Sequence, residues 1–231
     1  KLPVEDPVLW NGRKNPYLYT VRCEIFDSTT QEVTDNIDIR TGLREYHIDS
    51  HKGFFLNGEH IKLQGVSRHQ DRENMGNAIT EKQHAEDIKI ILDVGANSVR
   101  LAHYQQNSYF YDLCDESGLL VWAEVPVISR FSPKRNENAE QQLVELIKQN
   151  YNHPSIFCWG IENEITIAGS ANKKLITFLK HMHKVARHLD PTRYTTCAQL
   201  TMCPVNSPLN HITDIIGYNH YYGWYMGSCD E

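Results

Sequence analysis

The sequence contains no run of 18 apolar residues, so it offers no membrane-spanning helix. It has no Cys-x-x-Cys pair and no zinc spacing among Cys23, Cys114, Cys158, Cys197, Cys203 and Cys229, which argues against a structural zinc fold. No Gly-x-Gly-x-x-Gly fingerprint follows a strand-like stretch, as a dinucleotide-binding fold would require. Asn-x-Ser/Thr acceptors are missing, and the first residues lack the regions of a secretory leader, which leaves a leader upstream of Lys1 open. There is no excess of positive charge either. The 23 Lys and Arg against 29 Asp and Glu give a formal net charge of −6, which argues against nucleic acid as a partner held by bulk electrostatics. Cys114, Cys158 and Cys197 sit in apolar patterns and read as buried thiols; with the missing acceptor sites they point to a reducing, cytoplasmic compartment.

What is present suits a globular chain of 231 residues, 40% hydrophobic and 23% charged, with room for one sizeable core and part of another. Tyr17 to Phe26 alternates with period two, as does Glu32 to Arg40, with a turn signal at Asp27-Ser-Thr-Thr. The alternation predicts strands with one buried face. Two strands make no independent domain, so this segment is either the end of an all-β domain or a ribbon packed on residues further along the chain. Phe54-Phe-Leu-Asn-Gly-Glu-His-Ile predicts a hairpin turning at Asn57-Gly58.

From about residue 62 the pattern becomes strand, helix, strand. Strands are expected at 62–66, 98–102, 119–123, 156–161, 194–198 and 214–218. Thr80 and Gln83 form a capping box for a helix with Ile88 and Ile91 on its apolar face. Further helices are expected from Asn107 to Gly118, from Asn138 to Asn150, and along Ile176, Leu179, Met182 and Ala186 up to Asp190-Pro191. Continuously apolar strands separated by helices point to a parallel sheet. His69, His103, Glu124, Glu164 and His220 or Tyr221 all fall at or just past strand C-terminal ends, which is how a (β/α)8 barrel builds its site. The expected fold is therefore α/β, a TIM barrel of about six strands, two short of closure.

The strongest local signal is Asn152-His-Pro-Ser-Ile-Phe-Cys-Trp-Gly-Ile-Glu-Asn-Glu164. A carboxyl group at the end of a buried strand is disfavoured in its charged form. Such an acid can protonate a leaving group and afterwards activate water. An ion-paired strand-end Glu is the plainer account. Glu162 would share its facing by strand alternation and is the weaker candidate.

Five stretches carry a resemblance. They are Phe55 to Asp71 with Ser67-Arg-His-Gln-Asp, Gly95 to Tyr104, Phe110 to Leu119, Asn152 to Ile156 with Trp159 and Asn163-Glu164, and Tyr221-Tyr-Gly-Trp-Tyr225. In this order they resemble glycoside hydrolase family 2, the β-galactosidases and β-glucuronidases, over nearly the whole chain. The resemblance implies a retaining hydrolase with a sandwich–sandwich–barrel layout. Residues 1–45 would be the C-terminal part of an immunoglobulin-like β-sandwich, and 46–231 the N-terminal part of the barrel. It implies Glu164 as general acid/base and Asn163 as ligand to the sugar 2-hydroxyl. His69 and His103 would line the nonreducing-sugar subsite, Arg100 would be a supporting charge, and Tyr221 and Trp224 part of the rim. The family's nucleophile is a second Glu that no position here matches. Asp230 and Glu231 follow no apolar strand, so neither is expected to replace it.

The residues themselves support these roles less specifically. Neutral imidazoles donate and accept, which suits His69 and His103 to hydroxyl groups, although either could instead brace neighbouring side chains. Arg100 fits a plain salt bridge as well, and Glu124 is expected near it in a structural or a direct role. Trp224 could stack on a sugar or simply pack. His181 and His183 lie two apart on a helix and share no face, so they make no metal pair. Some relatives hold magnesium through a Glu and a His after the third strand, but Val125-Pro-Val-Ile-Ser-Arg-Phe131 has neither. No metal and no cofactor are expected. The Ser67-Arg-His-Gln-Asp form resembles the galactosidase branch, so the expected substrate is a β-D-galactoside. A β-glucuronidase is the alternative within the family, and a noncatalytic carbohydrate-binding or scaffold protein the alternative outside it. The full-length protein is expected to be a homo-oligomer.

Overall fold

The computed structural model of the chain describes residues 3–225 and 227–228. They form two compact units. The first holds residues up to Arg100 with Gln106–Val121 and Asn150–Ile156; the second holds Leu101–Gln105, Trp122–Gln149 and the residues from Phe157 onward.

The first elements are antiparallel. The short strands β1 (Trp10–Asn11) and β2 (Asn15–Pro16) pair with each other, and β3 (Tyr19–Phe26) pairs with β4 (Val33–Thr41). The hairpin expected at Asn57-Gly58 forms between β6 (Gly53–Leu56) and β7 (Glu59–Ile61), with β5 (Tyr46–Asp49) on the other side of β6. Asn57 at φ +49° and Gly58 at φ +81° supply the two left-handed residues that such a tight turn needs. The expected buried face of the β3–β4 ribbon is not found. Val21, Ile25, Phe26, Val33 and Ile37 are all exposed, because a two-stranded ribbon covers neither of its own faces.

After them come β8 (Gly65–Arg68), α1 (Glu81–Asp93), β9 (Ser98–Leu101), α2 (Ser108–Ser117), β10 (Leu120–Glu124) and α3 (Asn136–Asn150). The series ends with β11 (Ile156–Asn163), α4 (Lys173–Leu189), β12 (Tyr194–Leu200) and β13 (Ile215–Asn219). The strands form one six-stranded sheet in the order β13-β12-β11-β10-β9-β8, so sequence neighbours are sheet neighbours, as in a (β/α)8 barrel. Pairing is parallel from β11 through β12 to β13. All eight residues of β11 are buried, the pattern of a strand covered on both faces. The strand expected at 62–66 forms instead at β8. Asn97 accounts for the shift: its side chain donates to the Lys62 carbonyl and accepts from the Gln64 amide, both at 2.8 Å, which satisfies backbone groups that a ladder would have used.

Local signals set the helix ends. The Thr80–Gln83 capping box forms, Asn107 accepts from the Tyr109 amide, and Asn172 accepts from the Leu175 amide. Gly118 ends α2 at φ +70°, where a Cβ would stand 2.2 Å from the Gly12 carbonyl oxygen; both facts require glycine. In the second unit, Gly160 leaves space for its neighbours on β10, since a Cβ there would meet Trp122 Nε1 at 2.6 Å and Glu124 Cγ at 2.7 Å. The thiols expected to be buried, Cys114, Cys158 and Cys197, are buried. Burial, with Glu162 nearby, pushes the Cys197 thiol up to about 12, so it behaves as a small apolar group. Cys229 lies outside the described residues.

Candidate active site

At the end of β11 the chain leaves regular strand geometry. Its register against β12 shifts between Gly160 and Asn163, and Glu164 has φ +47°, in the left-handed region. A residue with a Cβ is disfavoured there by about 1–2 kcal/mol. The neighbours hold the distortion in place: the Glu164 amide donates to the Ala198 carbonyl at 2.8 Å, and the Asn163 amide to the Val127 carbonyl at 2.9 Å. The two glutamates consequently have separate partners, although strict alternation would have aimed them alike. Glu162, 1% exposed, accepts from Gln199 Nε2 at 3.1 Å and from the Ile165 amide at 3.2 Å.

Glu164 is 8% exposed, and two donors converge on its Oε1: Asn219 Nδ2 at 2.8 Å and the Tyr221 hydroxyl at 3.3 Å. The same Asn219 amide reaches Asn163 Oδ1 at 3.1 Å. Asn219 thus ties together the two residues singled out at the end of β11. With both donors on Oε1, Oε2 is the oxygen left to exchange a proton with a bound molecule. A carboxyl group with one oxygen fixed and the other available is equipped for general acid/base chemistry.

His103 Nδ1 lies 2.8 Å from Glu124 Oε2, and Glu124 is buried. The carboxylate accepts, so Nδ1 carries the proton and the orientation of the ring is set. Tyr221 also packs edge-on against Tyr225, with ring centroids 5.1 Å apart. Trp224 is 77% exposed on the following turn and touches Tyr225. His69 and Arg100 belong to the first unit: His69 directly follows β8 and is exposed, and Arg100 is half-buried in β9. Beside His69, Arg68 pairs with Asp87 at 2.7 Å and lies over the Phe110 ring at 3.8 Å. Burial and the Arg68 charge hold His84 below the usual histidine range, so it accepts from Arg68 as a neutral ring. Asp230 and Glu231 lie outside the described residues.

Sequence reading missed Asn219 and the Glu162–Gln199 pair. The available signal was position: Asn219 is the polar residue that closes the strand before His220 and Tyr221. Replacing Asn219 by Ala in the full-length protein should lower kcat by roughly 10- to 100-fold, the value of a hydrogen bond to a charged group. KM should change little, as expected of a residue that positions the acid. Equal turnover in variant and parent would remove Asn219 from the site.

Among the described residues, Asp112, Asp115 and His153 place ligand-type atoms within 4.8 Å of one another. Asp115 already accepts from His153 at 2.6 Å and from the Ser155 amide, and Asp112 pairs with Arg40 at 3.0 Å. Those bonds account for the cluster as a brace between α2 and the segment before β11.

Comparison with known proteins matches residues 48–230 to the model described as Glycosyl hydrolases family 2, TIM barrel domain, and residues 1–44 to Glycosyl hydrolases family 2. A β-glucuronidase of Bacteroides fragilis is 42% identical over 97% of this chain and 32% of its own length. A β-galactosidase of Thermoanaerobacter pseudethanolicus is 33% identical over 84% of this chain and 25% of its own length. Among solved structures, the FMN-binding β-glucuronidase from Facaelibacterium prausnitzii L2-6 superposes with a TM-score of 0.93 and 45% identity, over 98% of this chain and 35% of that one. The chain thus spans about a third of the length of such relatives.

Proposed function

The chain belongs to glycosyl hydrolases family 2, and from that premise we propose that its parent protein hydrolyses β-D-glucuronides with retention of configuration. The observation that carries the hydrolytic reading is Glu164, buried at the end of β11 with Oε1 fixed by Asn219 and Tyr221 and Oε2 available. Glu164 gives its proton to the glycosidic oxygen and, as carboxylate, later takes a proton from the attacking water. Asn163, held by Asn219, contacts the sugar 2-hydroxyl, and His103, oriented by Glu124, contacts another hydroxyl. Tyr221 and Trp224 complete the sugar contacts of the second unit, while the roles of His69 as a sugar contact and Arg100 as a supporting charge rest on the family resemblance alone. Retention requires a second carboxylate about 5–5.5 Å from the first, acting as nucleophile; no residue of this chain is assigned that role.

Support for a glucuronide over a galactoside comes from relatives: the 42%-identical Bacteroides fragilis protein and the 45%-identical solved structure are named β-glucuronidase, although a 42%-identical solved structure is named a putative β-galactosidase. A β-galactoside is the second reading, favoured by the Ser67-Arg-His-Gln-Asp stretch and by the 33%-identical β-galactosidase. Paired assays of the full-length protein on aryl β-D-glucuronide and aryl β-D-galactoside should give a kcat/KM at least about tenfold higher for the glucuronide, a difference of about 1.4 kcal/mol. A preference for the galactoside would replace the first reading by the second, and no turnover of either would remove both.

A further inference from the structure

Two adjoining cavities of 410 and 730 Å³ lie within the second unit and share Phe131, Asn136 and Phe178. Neither Glu164 nor Asn163 lines them, although Ile165 and Val127, which line the smaller one, adjoin those residues. Their floor is apolar: the Phe131 and Phe178 rings sit 5.6 Å apart, and Ile165 adds an aliphatic wall. Five cations line them, Arg130, Lys134 and Arg135 before α3, and Lys173 and Lys174 at the start of α4. Among the described residues none of the five makes an ion pair. Glu140 is the one carboxylate in either lining, and it is already matched to His181 at 2.9 Å.

All five are exposed to solvent at the edge of the cavities. Lys173 and Lys174 repel each other and occupy the first turn of a helix, the end that disfavours positive charge, with no acidic residue in that turn. A positive rim beside a cavity raises the local concentration of anions and can orient one that enters. The aromatic floor limits the anion further. A bare inorganic ion would leave the apolar surface wet, whereas a planar ring covers it while its charged group meets the cations. Cavities of this size lie in the range that holds a small organic ligand.

We propose that these cavities bind an aromatic anion, its ring against Phe131 and Phe178, which line both, and its sulfonate, carboxylate or phosphate towards the cations at their rim. The test is calorimetric titration of the full-length protein with naphthalene-2-sulfonate. Saturable binding of one equivalent is expected, weakened about tenfold or more by joint Lys173→Ala and Lys174→Ala replacement, and likewise by Arg135→Ala, each loss of a charge-assisted contact being of that order. Inorganic sulfate and the neutral naphthalene-2-methanol should each bind at least tenfold more weakly than the sulfonate. Binding should be unchanged by Glu164→Gln. Absence of saturable binding, indifference to both sets of cation replacements, or loss of binding in Glu164→Gln would overturn the proposal, the last by placing the probe in the sugar site.

Discussion

Replacing Glu164 by Gln in the full-length protein is expected to cut turnover of an alkyl β-glycoside by about 10²–10⁴-fold, the range contributed by a general acid. The substitution is informative because of how Glu164 is held. A Gln carbonyl at the Oε1 position still accepts from Asn219 and Tyr221, so the side chain should keep its place and lose only the exchangeable proton at Oε2. Substrate binding should persist. An aryl glycoside with a good leaving group should be much less affected in the first step, because departure of that group needs little protonation. The measurement is kcat and KM on both substrates. Unchanged turnover of the alkyl glycoside would mean that the acid is elsewhere, with Glu162 and Glu124 next to be tried. An equal loss on both substrates would instead point to a disturbed site.

The second large effect concerns stability. Asp190 is fully buried where α4 ends, and it gathers three side chains of the second unit: Trp159 Nε1 at 3.0 Å, Arg193 at 2.7 Å and the Thr192 hydroxyl at 2.6 Å. Burial by itself would raise its pKa, but the Arg193 charge and the bonds from Thr192, Arg193 and Trp159 outweigh it and hold the carboxyl below the usual range. Trp159 is a β11 residue, so this carboxylate fixes the strand that carries Glu164. Asp190→Asn removes the charge that Arg193 answers, and breaking a buried pair from one side costs about 3–5 kcal/mol. For a domain of this size that corresponds to a fall in Tm of roughly 6–20 °C at neutral pH. The sign with pH comes from the depressed pKa. The stabilisation is complete above the unfolded value of about 4 and is lost as pH falls through the folded value. The gap between parent and variant should therefore be constant from pH 7 to about 5 and narrow below about 4. Thermal unfolding across that range checks both parts. A gap that widens on acidification would contradict the assignment.

The strand ends were legible in the sequence because they can be located from local chemistry. Glu164 comes after a run of apolar residues, and His69 and His103 after shorter ones, so their placement needed only the hydrophobic pattern and the caps between strands. The same local rules located the turn at Asn57-Gly58 and the start of α1 at Thr80, where φ preference and side-chain capping act within four residues. Those features the sequence determined by itself. Other features depended on residues far apart along the chain. Asn219 meets Glu164 across 55 positions, and no period or motif marks that pairing before β11 and β13 are placed in one sheet. The register shift between Gly160 and Asn163, with the left-handed Glu164 after it, separated two glutamates that alternation alone would have aimed together. Hydrogen-bond partners and burial are properties of the assembled chain, so only the tertiary structure fixed which oxygen of Glu164 is held and which is left to move a proton.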